Sequence, residues 1–218
     1  MVDVDRELSA VSNQQSANSG SVIRIRKRQT LQPLFTVHGG EYLTASYIEE
    51  NYKHVNVWIP SRDRGVDLLV SDRSNRRTVS LQVKFSKDYL VTHGGPEFQK
   101  KLRSCGYWTI NSNKLRKSAA DYWVFVLPGF ELRSTDYIIV PSKELWQPLR
   151  SIHGSRQEQI RSYLWVTEAN RCWEVRRLKV SDRRMIANGM YRNPDYDFTR
   201  WLNKWDPLAQ LNKSPARA

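Results

Sequence analysis

The stretch Gly65-Val66-Asp67-Leu68-Leu69-Val70-Ser71-Asp72-Arg73-Ser74-Asn75-Arg76-Arg77-Thr78-Val79-Ser80-Leu81-Gln82-Val83-Lys84-Phe85 decides the fold. Val66–Val70 and Thr78–Phe85 are short β-type runs, and Ser71-Asp72-Arg73-Ser74-Asn75 supplies turn chemistry between them. Side chains alternate across a strand. Val79, Leu81, Val83 and Phe85 therefore share one face of the later run, and Val66, Leu68 and Val70 share one face of the earlier run. If those apolar faces lie together, Asp67, Gln82 and Lys84 meet on the opposite face.

Upstream, Gly39-Gly40 precede a helical pattern from Glu41 to Tyr52, with Glu41, Ala45, Ile48 and Tyr52 on one stripe. Glu41 shares the apolar stripe, so its carboxylate is expected to point inward at the start of the helix. Val55–Ile59 reads as a strand that ends at Pro60. Downstream of a polar, basic region, Tyr122–Leu127 and Tyr137–Val140 are strand-like. Pro141-Ser142 opens a helix to about Leu149, with Ser142 as N-cap. Tyr163–Val166 and Cys172–Val175 form a hairpin around Glu168-Ala169-Asn170. A last helix is expected from about Pro194, striped by Phe198, Trp201, Leu202 and Trp205. Together these predict a mixed α/β or α+β domain. The division expected is a tail with a basic arm over 1–30, a core over 31–150, a C-terminal extension packed on it over 151–212, and a frayed end over 213–218. Ile23–Arg28 alternates and fits either an edge strand or a basic arm.

The chain has 218 residues, 39% apolar and 26% charged, enough for a real core and too apolar for wholesale disorder. No apolar run approaches the ~20 residues of a membrane helix, so no membrane partner is expected. Only Cys105 and Cys172 are present, which excludes a disulfide scaffold and a four-thiolate zinc site. A reducing, cytoplasmic setting is the plain expectation. The net charge is +13 and unevenly placed: residues 71–120 hold eleven Lys/Arg against three Asp/Glu. Such a basic stretch fits a polyanion, nucleic acid above all. Lys87, Lys100, Lys101, Arg103, Lys114, Arg116 and Lys117 are the candidate DNA-binding residues, with Tyr107-Trp108 between the clusters for stacking, or else part of a surface loop.

Glu41, Asp67, Gln82 and Lys84 converging at one sheet edge have a chemical use. Phosphodiester hydrolysis needs oxygen ligands for a hard cation, a polarised phosphate and an activated water. Glu41 and Asp67 supply carboxylates, the Val83 carbonyl a further oxygen, and Lys84 a charge beside the water and phosphate. Each residue also has an ordinary alternative: Asp67 as a turn aspartate, Lys84 as an edge-strand charge, Glu41 as an acid favoured by the helix dipole.

Gly40-Glu41-Tyr42-Leu43-Thr44-Ala45, Arg64-Gly65-Val66-Asp67 and Leu81-Gln82-Val83-Lys84 resemble the motifs of the PD-(D/E)XK nuclease superfamily. The Gln-X-Lys form is similar to the restriction-type, Mrr-like branch, in which Gln replaces the second acid. The resemblance covers roughly residues 39–150. It implies a restriction-endonuclease-like core, a central mixed sheet flanked by helices, here extended by a C-terminal hairpin and helix. It implies a metal-dependent DNA endonuclease acting in restriction, defence against foreign DNA, or repair. Glu41, Asp67 and Val83 would hold Mg²⁺, or Mn²⁺ in its place, with Gln82 and Lys84 completing the catalytic set. Duplex DNA is the implied partner, and a homodimer would place two sites on two strands. The alternatives are a nucleic-acid-binding module that has lost cleavage, and a subunit of a larger nuclease or helicase assembly.

Other candidates are weaker. His38, His54, His93 and His153 lack metal-ligand spacing, Cys105 lacks a paired base, and Gly39-Gly40 and Gly94-Gly95 make no phosphate loop. Asp63 is less well placed than Asp67 by alternation, and Glu49 and Glu50 fall off the Glu41 stripe.

Overall fold

In the computed structural model, which describes residues 38–61, 64–90, 95–129 and 134–211, the deciding stretch forms two antiparallel strands. β2 is Leu68–Asp72 and β3 is Thr78–Phe85, with Leu68 opposite Leu81 and Val70 opposite Val79. Asp72 builds the turn between them. Its carboxylate accepts from the Ser74 hydroxyl, the Arg76 N–H and the Arg77 guanidinium. Burial pushes this carboxyl up, but those hydrogen bonds outweigh it and hold it at about 2. Asn75 takes the left-handed conformation (φ 56°) that asparagine tolerates.

β1 (Val55–Trp58) pairs with β2 at one edge of the sheet. On the other side β5 (Tyr122–Gly129) runs parallel to β3, and β6 (Ser134–Pro141) pairs antiparallel with β5. The result is a mixed five-stranded sheet in the order β1-β2-β3-β5-β6. β5 reads as a continuous apolar run because both its faces are buried. Val124 and Val126 join Leu68, Val70, Leu81, Val83 and Ile48 in one core. Trp123, Phe125 and Leu127 join the opposite one.

Helices α1 (Gly39–Asn51) and α6 (Asp206–Leu211) cover the first face, through Ile48, Leu208 and Leu211. The second face is covered by a second sheet. Residues 86–121, expected to be a polar connection, contain the ten-residue strand β4 (Leu102–Asn111), which pairs along its length with β7 (Gln159–Thr167). β8 (Cys172–Glu174) completes that three-stranded sheet through the expected hairpin. Trp108, Ile110, Ile160 and Leu164 pack onto Trp123 and Phe125. Tyr107-Trp108 is thus a piece of strand, not a loop, and Trp108 is core. A bulge between Leu102 and Ser104 shifts the alternation, so Leu102 faces the outer core with Cys105 while Trp108 and Ile110 face inward. Residues 151–211 are accordingly tied into the body by strand pairing, and a boundary at 150 would cut through the second sheet.

The remaining short helices are α2 (Pro96–Gln99), α3 (Ser112–Arg116), α4 (Ser142–His153) and α5 (Val180–Ala187). α4 has Pro141 at its N-cap, and Ser142 donates its hydroxyl to the Ala120 carbonyl instead (2.5 Å). The expected C-terminal helix is broken. Pro194–Tyr196 and Thr199–Trp201 are single 3₁₀ turns, and only α6 follows. Its aromatic stripe is divided: Phe198, Trp201 and Leu202 fill one core and Trp205 the other. The tail, the basic arm and residues 212–218 lie outside the described residues, as do Asp63, His93 and Gly94.

α1 is held against β3 by a glycine. A Cβ on Gly40 would sit 2.5 Å from the Phe85 Cβ, whereas one on Gly39 would meet nothing within 4 Å. Gly40→Ala is expected to cost about 1–3 kcal/mol, the usual range for overpacking, while Gly39→Ala should be neutral or mildly stabilising in a helix. Urea denaturation of the two variants tests this; equal effects would mean that the close approach at Gly40 is not a constraint.

Candidate active site

Asp67 stands where β2 stops pairing with β3. Its N–H donates to the Leu81 carbonyl (2.8 Å), and its Oδ2 accepts the Val83 N–H (2.7 Å) and the Gln82 Nε2 amide. A backbone donor and a side-chain donor therefore fix this carboxylate over the β3 backbone. The N–H and C=O of one strand residue point the same way, so the Val83 carbonyl also faces the Asp67 side.

Glu41 reaches the same place from the start of α1. It is the third helical residue after the N-cap His38, in the first turn where the helix dipole favours an acid. Its residue surface is only 6% exposed. Burial raises its carboxyl above the ordinary value, and the charge of Asp67 raises it further; His38 and Lys84 pull the other way. Two carboxylates and an ammonium thus sense one another across one cavity. Lys84, on the same side of β3 as Gln82, holds its Nζ 5.4 Å from the centroid of the Trp123 ring. Trp123 lies opposite Gln82 in the parallel register and is itself anchored by Nε1 donating to the Ser118 hydroxyl (2.9 Å).

The cavity that these groups line has a volume of ≈ 850 Å³. Glu41, Asp67, Gln82, Val83 and Lys84, the five residues assigned from the sequence, all border it, and Arg64, Lys114 and Lys117 make its rim basic. Lys114 is placed by a helix cap: the Asn111 side chain accepts the N–H groups of Asn113 and Lys114 (3.0 Å each) and so starts α3 at the cavity wall.

The other candidate DNA-binding residues are elsewhere. Arg103 is structural. Its guanidinium grips the buried Asp136 through Nε (2.9 Å) and Nη2 (2.5 Å), and Ser104 and Asn203 donate to the same carboxylate. Arg116 lies over the Trp146 ring of α4, 5.4 Å from its centroid. Lys87 is exposed beyond the end of β3 and does not border the cavity, and Lys100 and Lys101 border a second, separate one. His38 and Arg64 border the site without having been assigned to it. Arg64 sits beside the Gly-Val-Asp motif, which was the available signal. Trp123 had none, because its place depends on which strand β5 joins.

Among the described residues no group of three or more His, Cys, Asp and Glu gathers around one point. A hard cation here would take its oxygens from the Glu41 and Asp67 carboxylates and the Val83 carbonyl, with water completing the shell. One or two carboxylates with retained waters is the usual manner of Mg²⁺, and the mutual repulsion of the buried Glu41 and half-buried Asp67 carboxylates is what a dication relieves. The donor set fits such an ion. In comparisons with protein-family models, with curated proteins and with solved structures, the chain matches none. The site is therefore read from its own geometry.

The Glu41 shift has a sign that can be measured. Its carboxyl is raised in the folded state, so ionised Glu41 weakens the fold; that cost is absent below the unfolded value of 4.5 and complete above the folded value. Glu41→Gln keeps the size and shape of the side chain and removes the charge. Without divalent cations the variant should be more stable than the wild type at pH 7, and the gap should close as pH falls below 4.5. Chemical denaturation at pH 7 and pH 4 checks this; a variant less stable at pH 7 would show that the Glu41 charge supports the fold.

Proposed function

We propose that this protein is a metal-dependent DNA endonuclease of the PD-(D/E)XK type. The observation that carries this reading is the electrostatic triad of Glu41, Asp67 and Lys84 in one basic-rimmed cavity. Glu41, Asp67 and the Val83 carbonyl would hold Mg²⁺, which when bound polarises a phosphate and acidifies a water. Gln82 holds Asp67 in one orientation by donating its amide. Lys84, steadied over Trp123, donates hydrogen bonds to a phosphate oxygen and to the incoming water, opposing the charge that builds in the transition state. Arg64, Lys114 and Lys117 neutralise neighbouring phosphates around the cavity mouth. Four basic side chains against two carboxylates leave the lining attractive to a polyanion even with no metal bound.

Incubation with supercoiled plasmid should give nicked or linear product with Mg²⁺ or Mn²⁺ and none with a chelator. Lys84→Ala and Asp67→Asn should each lose about 10²-fold or more in rate, the scale of removing one preorganised electrostatic group. Asp67→Asn should keep DNA affinity or gain a little, since one negative charge beside the phosphate is gone. Full cleavage by Asp67→Asn would sink the proposal. Gln82→Glu sets a second carboxylate against Asp67 and removes its donor, at a cost of about 1–3 kcal/mol. It should unfold earlier than wild type in chelator and recover when Mg²⁺ is added, and thermal unfolding with and without the ion shows whether it does.

A further inference from the structure

A second cavity, ≈ 450 Å³, lies at the opposite end of β4 from the candidate active site. Lys100 and Lys101, immediately before β4, form one wall; Arg171, from the β7–β8 hairpin, and Arg192, beyond α5, form others. Glu168 is the one acid in the lining. Arg171 is partly neutralised by Asp197 at 2.6 Å, but among the described residues no ion pair involves Lys100, Lys101 or Arg192. Lys101 and Arg192 are nevertheless held in place. Lys101 donates to the Asn188 side chain, its carbonyl accepts the Glu168 N–H (3.2 Å), and Arg192 Nη1 donates to the carbonyls of Gly189 (2.7 Å) and Tyr191 (2.8 Å). An ammonium carries three donors and a guanidinium five, so each keeps hydrogen bonds to give.

The active-site cavity is walled in part by Asn113, Lys114, Lys117, Ser118 and Ala119, just after β4. The ten residues of β4 at about 3.3 Å each span roughly 30 Å, which separates Lys100 and Lys101 from Lys114 and Lys117 on the rim of the active-site cavity. Along duplex DNA each strand places a phosphate about every 3.4 Å, so that span corresponds to about one turn of the double helix.

We propose that the second cavity is a remote anchor for the phosphate backbone of duplex DNA whose scissile phosphate lies in the first. The inference rests on the nuclease reading and adds a substrate requirement, a duplex longer than one turn. Binding measured in chelator, where no cleavage occurs, tests it with duplexes of about 8 and 24 base pairs. Lys100→Ala/Lys101→Ala should weaken the 24-mer by about tenfold or more and the 8-mer by less than about twofold. On the 24-mer the salt dependence should fall by about 0.9 for each phosphate that the variant no longer neutralises. Lys100→Glu, a single exposed position, should act in the same direction, and thermal unfolding shows that both variants are folded. Equal losses on the two lengths, or an unchanged 24-mer affinity, would overturn the anchor while leaving the cleavage assay to stand separately. Failure of the wild type to bind either duplex would overturn both proposals.

Discussion

A buried backbone N–H must find a partner, and in this protein the N–H of Val83 finds a side chain. The β2–β3 ladder ends at Leu68 and Leu81, short of Val83, and the Asp67 carboxylate takes the place of a strand partner. Much of the candidate site follows from this substitution. The carboxylate is fixed by a backbone group, which is as rigid an anchor as the fold offers. The Gln82 amide secures the same oxygen, and the strand direction turns the Val83 carbonyl towards the same side. Glu41 is then brought to it because Gly40 lets α1 touch the end of β3.

The hairpin and its chemistry were legible because both depend on short-range alternation. A period of two tells which side chains share a face before any partner strand is known, and Asp67, Gln82 and Lys84 needed nothing more. The ten residues of β4 were not legible. Its inward residues include Trp108 and Ile110, but Arg103, Ser104, Gly106, Thr109 and Asn111 are interspersed along it, and a bulge breaks the period near its start. A strand of that composition is stabilised by what pairs with it, and β7 lies some fifty residues away. The aromatic run from Phe198 to Trp205 failed in the opposite sense. Its spacing suits a helix, yet the same residues serve two different cores from a chain that bends between them.

Charge density located the basic half of the molecule but not the work of each cation. Arg103 belongs to a cluster in which the buried Asp136 accepts from Arg103 and Ser104 of β4 and from Asn203, so it joins elements that are distant in sequence. Arg116 lies over the Trp146 ring. Lys114, two residues earlier, faces the cavity because a capped helix turns it there. Neighbouring residues of like charge thus have unlike roles, and only their partners distinguish them.

The pairing of β4 with β7 also sets an order on the making of the protein. During synthesis the five-stranded sheet is complete once β6 has emerged, but its Trp123–Phe125 face then has only an incomplete cover. β4 has by that time been made without its neighbour, so its core-facing tryptophan and isoleucine can reach Trp123 and Phe125 but lack the strand that pairs with β4. They stay so until β7 follows. Unpaired apolar strands of this sort are where nascent chains associate wrongly. The interval between the sixth and seventh strands, which holds α4, is therefore a stretch of translation in which β4 stands unpaired.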